Sequence, residues 1–359
     1  LALSFGFRET AARHAFAITI ALCLALSALT LIFPPRRKSL YATEGYVITA
    51  LSWIIISVFG ALPFIFSGEI PNFFSALFET VSGFTTTGAS VVANVEALSR
   101  CTNMWRCFSH WIGGMGILVF LLAVLPLVGG SNMQLMKAES PGPSVGKLVP
   151  KVRFTARILY VLYVALTVLQ VLVMLLGGMT LYEALCTSFG TAGTGGFGIY
   201  GDSIAGFSPF LQWAITIFMI AFGVNFNVYF LLYMRRPKDA LHFEEMHWYL
   251  GIIVAAALMI CANAYDVAMT LEGNLRQSFF QVASIITTTG FATTDFNLWP
   301  GFSHGILVVL MFVGACAGST GGGFKVSRIV IGFKSVLAYL GAFLHPRVVR
   351  KVKFEDKDV

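Results

Sequence analysis

Apolar residues in this chain fall into long unbroken runs separated by short polar or basic stretches. A bilayer core about 30 Å thick takes roughly 20 apolar residues as one helix. Runs of that size cover Ala15–Phe33, which stops at Pro34-Pro35-Arg36-Arg37-Lys38, and then Tyr46–Phe66, Trp111–Val128, Ile158–Leu176, Phe210–Met234 and Trp248–Met269. A seventh run begins near Phe302, is interrupted by Gly314–Gly323, and resumes over Val326–Phe343. Each pattern predicts a membrane-crossing helix, so the fold class is all-α integral membrane.

Three further apolar stretches are too short to span: Phe73–Phe84, Leu181–Gly190 and Gln277–Ile286. Each is followed at once by a Thr/Gly-rich run and an extended polar segment. They read as re-entrant helices. Non-helical backbone at membrane depth is tolerated only when it is buried in protein or lines a wet cavity.

Composition narrows the class. Of 359 residues, 57% are hydrophobic and 11% charged. That excludes disorder, a collagen-like fibre and a nucleic-acid-binding domain. The net charge of +7 has a topological explanation. If the Pro34–Lys38 loop is cytoplasmic, 19 of the 24 Lys and Arg fall inside and only Arg8, Arg13, Arg100, Arg106 and Arg276 fall outside, as the positive-inside rule requires. The outer face then holds Glu9, Glu69, Glu79, Glu96, Glu183, Asp202, Asp266, Glu272 and Asp295, and is expected to attract cations. The six Cys show no metal spacing; Cys101 and Cys107 either pair on an oxidising side or are two free thiols.

The short stretches carry an internal repeat. The first reads Ser82-Gly-Phe-Thr85-Thr86-Thr87-Gly88, the third Ser284-Ile-Ile-Thr287-Thr288-Thr289-Gly290, and the second, looser, Thr194-Gly195-Gly196. In every unit a Thr stands two residues before a Gly. Each unit is therefore helix, re-entrant helix, Thr/Gly loop, helix, arranged in parallel about an axis normal to the membrane. The chemistry is that of a cation filter. A cation entering the membrane exchanges water for other oxygens, which backbone carbonyls supply. Gly permits φ > 0 without a Cβ clash. The candidate ion-binding residues are Thr86, Thr87, Gly88, Thr194, Gly195, Gly196, Thr288, Thr289 and Gly290.

Other signals are weaker. His242 and His247 flank Glu244 and Glu245 at a spacing of i, i+5, which does not place two rings together on a helix, so a solvated turn is expected there. His110 and His304 begin helices and are expected at the outer interface. The glycines of Gly314–Gly323 are not a phosphate loop, because Phe324 separates Gly323 from Lys325 and Val326 stands where Ser or Thr is needed. A membrane enzyme or a proton-coupled carrier needs intramembrane carboxylates or catalytic clusters, and the apolar runs offer almost none. Ion flow down a gradient is preferred over a proton- or sodium-coupled symporter.

The filter loops, with Gly60-Ala-Leu-Pro-Phe-Ile-Phe-Ser67, Trp111-Ile-Gly-Gly-Met-Gly-Ile117, Met133-Gln-Leu, Ala138-Glu-Ser-Pro-Gly-Pro143, Gly314-Ala-Cys-Ala-Gly-Ser-Thr-Gly-Gly-Gly-Phe-Lys325 and His345-Pro-Arg347, resemble the Trk/Ktr/HKT superfamily of cation transporters, most closely its bacterial TrkH/TrkG type. The resemblance covers essentially the whole chain. It implies potassium (K+) uptake through four membrane–pore–membrane repeats around a pseudo-fourfold pore. It also implies a multi-pass subunit of the bacterial inner membrane, a homodimer, and gating by a TrkA-like cytosolic nucleotide-binding ring that binds NADH or ATP. No organic cofactor or nucleic acid is implied. Residues 1–40 then form an extra N-terminal helix, 41–135 repeat 1, 136–245 a cytoplasmic linker with repeat 2, 246–345 repeat 3, and 346–359 a cytoplasmic tail. In the resembled family the interrupted seventh helix gates the pore, which assigns the gate to Gly318, Ser319, Thr320, Gly321, Gly322, Gly323 and Lys325, with Lys325 and Arg328 expected to face the cytoplasm or the pore entrance. In related plant carriers a Ser at the first filter position goes with sodium preference, so Gly88 favours potassium. Only three repeats are legible, so the sequence reads as a fragment that is not expected to conduct alone.

Overall fold

The computed structural model describes residues 1–32, 42–116, 152–265, 270–344, 352–355 and 357–358. The chain is mostly helical and divides into two compact units, Leu1–Ser203 and Ile204–Val359. The third apolar run beyond Gly116, the linker 133–151, Asp266 and residues 345–351 lie outside the described residues.

In the first unit, α1 spans Ala2–Gly6, α2 Thr10–Ile32, α3 Ala42–Phe66, α4 Phe73–Phe84, α5 Arg100–Gly114, α6 Val152–Leu176 and α7 Leu181–Ala192. Helices α2, α3 and α6 have 23, 25 and 25 residues, enough to cross a hydrocarbon core. Their outward side chains are apolar; Leu24 and Leu176 are 65% and 85% exposed, as lipid-facing residues are. The short helices α4 and α7 begin on side-chain caps. Asn72 accepts the N–H of Ser75 at the start of α4. Thr180 and Glu183 form a reciprocal capping box on α7. Helix α4 packs between α3 and α5, and α7 packs on α5 and α6. Met104, Cys107, Cys186, Phe197 and Ile199 form the core between α5 and α7.

In the second unit, α8 spans Pro209–Gly223, α9 Phe226–Tyr233, α10 Pro237–Leu241, α11 Glu244–Asn263, α12 Leu271–Ile286, α13 Gly301–Val313 and α14 Val326–Leu344. Its core runs through Tyr249, Ile253, Ala257 and Ile260 of α11, Val282 and Ile286 of α12, and Leu307 and Leu310 of α13. A two-residue antiparallel ribbon, β1 (Lys353–Phe354) with β2 (Lys357–Asp358), is the one departure from helix among the paired elements described here.

Helices cover the first, second, fourth and sixth apolar runs and the three short stretches, the third short helix starting already at Leu271, and the fifth run departs from its prediction. The run Phe210–Met234 is not one helix: α8 and α9 meet at a bend of 88°. Val224 is extended, and Asn225 caps α9 by accepting the N–H of Asn227 at 3.0 Å. An Asn inside an apolar run offers the backbone an alternative to the helical ladder. All six Cys are free thiols, so Cys101 and Cys107 do not pair.

Candidate functional site

The three short helices α4, α7 and α12 end in the same way. In α4 the N–H groups of Thr85, Thr86 and Thr87 donate to the carbonyls of Val81, Gly83 and Ser82. In α7, Gly193, Thr194 and Gly195 donate to Phe189, Thr191 and Gly190. In α12, Thr287, Thr288 and Thr289 donate to Ala283, Ile285 and Ser284. This is a Schellman ending, with its 6→1 and 5→2 bonds, repeated three times. The left-handed position it requires is usually Gly, but here it is Thr86 (φ 54), Thr194 (φ 52) and Thr288 (φ 59). A β-branched residue in that region is an outlier and costs about 1–3 kcal/mol, a strain that concentrates at functional sites. Two residues on, Gly88 (φ 76), Gly196 (φ 76) and Gly290 (φ 85) are left-handed again. Gly was expected to adopt φ > 0; the threonines were not.

Hydroxyls brace the first and third loops. Thr85 Oγ1 lies 2.8 Å from Thr87 Oγ1, and Thr287 Oγ1 lies 2.7 Å from Thr289 Oγ1. Thr85 and Thr287 therefore brace these loops, a part that sequence reasoning did not give them. In the second loop Gly193 and Gly195 replace these hydroxyls and make room for His110. That ring is fully buried, accepts the N–H of Phe197 on Nδ1 at 3.2 Å and stacks on Phe197 at 4.0 Å. His110 is thus part of the loop's support, not an interfacial residue. The first and second loops touch: a Cβ on Gly88 would stand 2.0 Å from the carbonyl oxygen of Gly195. The third loop belongs to the second unit.

Beneath the third loop the interrupted helix forms a tight hairpin between α13 and α14. Its neck is closed by Gly314 and Gly323, where a Cβ on Gly314 would stand 2.6 Å from Gly323 Cα. Ala315 N–H donates to Gly322 O, and Val326 N–H to Ala315 O. Gly318 and Gly323 adopt positive φ, and Ser319 donates its hydroxyl to Cys316 O. The tip meets the third Thr/Gly loop: Gly322 N–H donates to Thr288 Oγ1 at 2.7 Å. The hairpin also fills the break in the fifth run. Cys316 N–H donates to Gly223 O, Phe226 N–H to Gly318 O, and Thr320 Oγ1 to Phe222 O. Each interrupted helix thus satisfies backbone groups freed by the other, which lipid could not do.

Two expectations are corrected here. Lys325, expected to face the cytoplasm or the pore entrance, is not a solvated cation: it is 6% exposed and its ammonium donates to Gly321 O within the hairpin. Glu245 is not in a solvated turn. It is 2% exposed, and its carboxylate accepts from Ala317 N, Ser327 N and Asn225 Nδ2 at 2.7, 3.1 and 3.2 Å. Its own N–H donates to Glu355 beside the terminal ribbon. The available sequence signals were Asn225 in an apolar run and Glu245 at the edge of one. No metal-binding group of His, Cys, Asp and Glu occurs among the described residues.

Several of the carboxylates assigned to the outer face also hold backbone in place. Glu9 accepts the N–H groups of Arg100 and Cys101, Glu69 that of Ser99, and Glu96 that of Gly201. Glu272 pairs with Arg276, and Glu79 is buried against Arg106. Burial pushes Glu183 up, but hydrogen bonds from Tyr200 and Thr180 outweigh it and hold the carboxyl below its usual range. Tyr200 in turn is pushed up to about 12, first by that bond to Glu183.

The sequence pattern that defines TrkH, described as a cation transport protein, matches residues 12–253 and 248–359. The Trk system potassium uptake protein TrkH of Salmonella typhimurium is 38% identical over 363 residues, covering 98% of this chain and 74% of that protein. TrkG of Escherichia coli, also a Trk system potassium uptake protein, is 33% identical over 321 residues, covering 88% and 66%. The crystal structure of the potassium transporter TrkH from Vibrio parahaemolyticus superposes with a TM-score of 0.86 at 30% identity, covering 100% of this chain and 75% of that one.

Proposed function

We propose a potassium-uptake function from the premise that this chain belongs to the TrkH family of cation transport proteins, whose members are membrane transporters and not enzymes. The Thr/Gly loops are its selectivity filter. The observation that carries this reading is the threefold repetition of one strained ending at Thr86–Gly88, Thr194–Gly196 and Thr288–Gly290. Because the loop N–H groups bond back to the re-entrant helix, its carbonyls are the groups left to offer a cation. Residues 41–135, 136–245 and 246–345 act as membrane–pore–membrane repeats that bring these carbonyls to one axis in a pseudo-fourfold pore. Rings of backbone carbonyls of this kind replace the hydration shell of K+.

The hairpin Gly314–Lys325 is the gate. Its contact with Thr288 supports a position directly under the filter. The buried carboxylates Glu79 and Glu245 support a structural role over proton coupling, since donors from the protein occupy both. In this reading the protein sits in the bacterial inner membrane as a homodimer and is opened by a cytosolic nucleotide-binding ring. The test is Rb+ uptake by potassium-uptake-deficient cells expressing the protein from its native gene. Uptake that competes with K+ and not with Na+, and that is lost in Gly88→Ala, is expected. Uptake equally blocked by Na+, or unaffected by that substitution, would contradict the reading.

A further inference from the structure

Glu79 of α4 and Arg106 of α5 form an ion pair at 2.7 Å, with side chains 0% and 2% exposed. Burying two charges is costly, and an apolar pair of similar volume is often at least as stable. The other repeats take the cheaper course. Nine residues before Gly88, Gly196 and Gly290 stand Glu79, Thr187 and Gln281. Six residues into the helix that follows stand Arg106, Ile215 and Leu307. Stability alone therefore does not account for the pair, whereas its contacts do.

Glu79 accepts from the Ser90 hydroxyl at 2.9 Å and from Val91 N–H at 2.9 Å, two and three residues beyond Gly88. Arg106 donates to Ser90 Oγ and to the carbonyl of Gly198, both at 3.3 Å. It also bonds Asn103 Oδ1 at 2.8 Å, and its guanidinium lies 4.2 Å from the centre of the Phe197 ring. Phe197 and Gly198 follow Gly196 directly. The pair thus grips the exit of the first loop and the exit of the second. Only an arginine fork can hold a carboxylate, a hydroxyl and a carbonyl at once in fixed directions. In the third repeat the neutral Gln281 makes a longer bond, 3.4 Å, to Thr294 O alone.

We propose that Glu79 and Arg106 are positioning residues that set ion selectivity by fixing the separation of the first and second loops. They do not touch the ion. The inference rests on reading those loops as the filter, and it makes the size of the ion cavity, one of the two debated sources of K+ over Na+ discrimination, depend on this one charged clamp.

The test measures Rb+ and Na+ uptake in potassium-uptake-deficient cells expressing the protein, each normalised to the amount in the membrane. Glu79→Gln, Arg106→Lys and Ser90→Ala are compared with Phe64→Ala, which empties a core position packed on Ala61, Ile70 and Ala76. The Rb+/Na+ ratio is expected to fall about tenfold in the first two and less in Ser90→Ala, while Phe64→Ala lowers abundance and leaves the ratio unchanged. Arg106→Lys keeps the charge, so its loss of selectivity separates geometry from charge. A wild-type ratio in Arg106→Lys and Ser90→Ala overturns the proposal even where Glu79→Gln fails to reach the membrane. Gly290→Ala is the control on the filter reading. If it lowers the ratio and the clamp variants do not, only the clamp is wrong; if none of them does, the filter reading falls.

Discussion

The carboxylate of Glu245 accepts the backbone N–H of Ala317 at 2.7 Å, tying the start of α11 to the hairpin that interrupts the seventh helix. The same oxygen accepts Ser327 N–H, so one carboxylate holds both ends of the hairpin. Glu245→Gln keeps the shape and removes the charge. Each hydrogen bond to a charged group is worth about 1.5–3 kcal/mol, so the detergent-solubilised protein is expected to melt lower and unstimulated Rb+ uptake to rise. Unchanged melting and unchanged basal flux would remove Glu245 from the gate.

Thr288 is where the hairpin and the third Thr/Gly loop meet, through Gly322 N–H and the threonine hydroxyl. Thr288→Ser retains that acceptor and should behave as wild type. Thr288→Val keeps the β-branch and loses the oxygen. It is expected to raise basal flux with little change in abundance, read from the same uptake assay. Equal behaviour of the two variants would mean the contact does not restrain the hairpin.

Gly88 and Gly290 both have positive φ, but their surroundings differ. A Cβ on Gly88 meets the Gly195 carbonyl at 2.0 Å, whereas one on Gly290 meets nothing within 4 Å. Left-handed backbone costs a non-glycine residue roughly 1–2 kcal/mol, and Gly88→Ala adds a clash with backbone. Gly88→Ala should abolish uptake; Gly290→Ala should retain measurable flux with reduced K+ preference. The reverse order would refute the described geometry of the first loop.

Asn225 caps α9 and donates to Glu245, so it serves both helix breaks. Losing an N-cap costs about 1 kcal/mol. Asn225→Ala should destabilise the protein by more than that and loosen the gate along with it. A thermal shift no larger than that of the exposed-cap variant Asn72→Ala would show that the cap, and not the Glu245 bond, is what matters.

Much of this was legible in the sequence. The spans and the short helices Phe73–Phe84 and Leu181–Gly190 follow from apolar run length, because a bilayer fixes how long a helix must be. The third short helix starts earlier than its apolar stretch, at Leu271, because Thr270 caps it and polar Asn274 is buried against Cys261 O. The Thr/Gly repeat marked the loops. What hydropathy could not show is where polar groups in apolar surroundings find partners. The break at Asn225, the inward turn of Lys325 and the burial of Glu79, His110 and Glu245 all depend on hydrogen bonds between residues 4 to 87 positions apart. Residue type alone placed Lys325, Glu79 and Glu245 toward water and His110 at the interface, and left Asn225 inside a continuous helix.

The central claim is that carbonyls of the Thr/Gly loops bind the transported ion. Crystals of the protein grown in Rb+ test it most directly, through the anomalous signal of the ion. The account predicts Rb+ peaks in contact with carbonyl oxygens of residues 86–88, 194–196 and 288–290 together. Peaks held by carboxylates elsewhere, or loops that do not share a common Rb+ site, would contradict it.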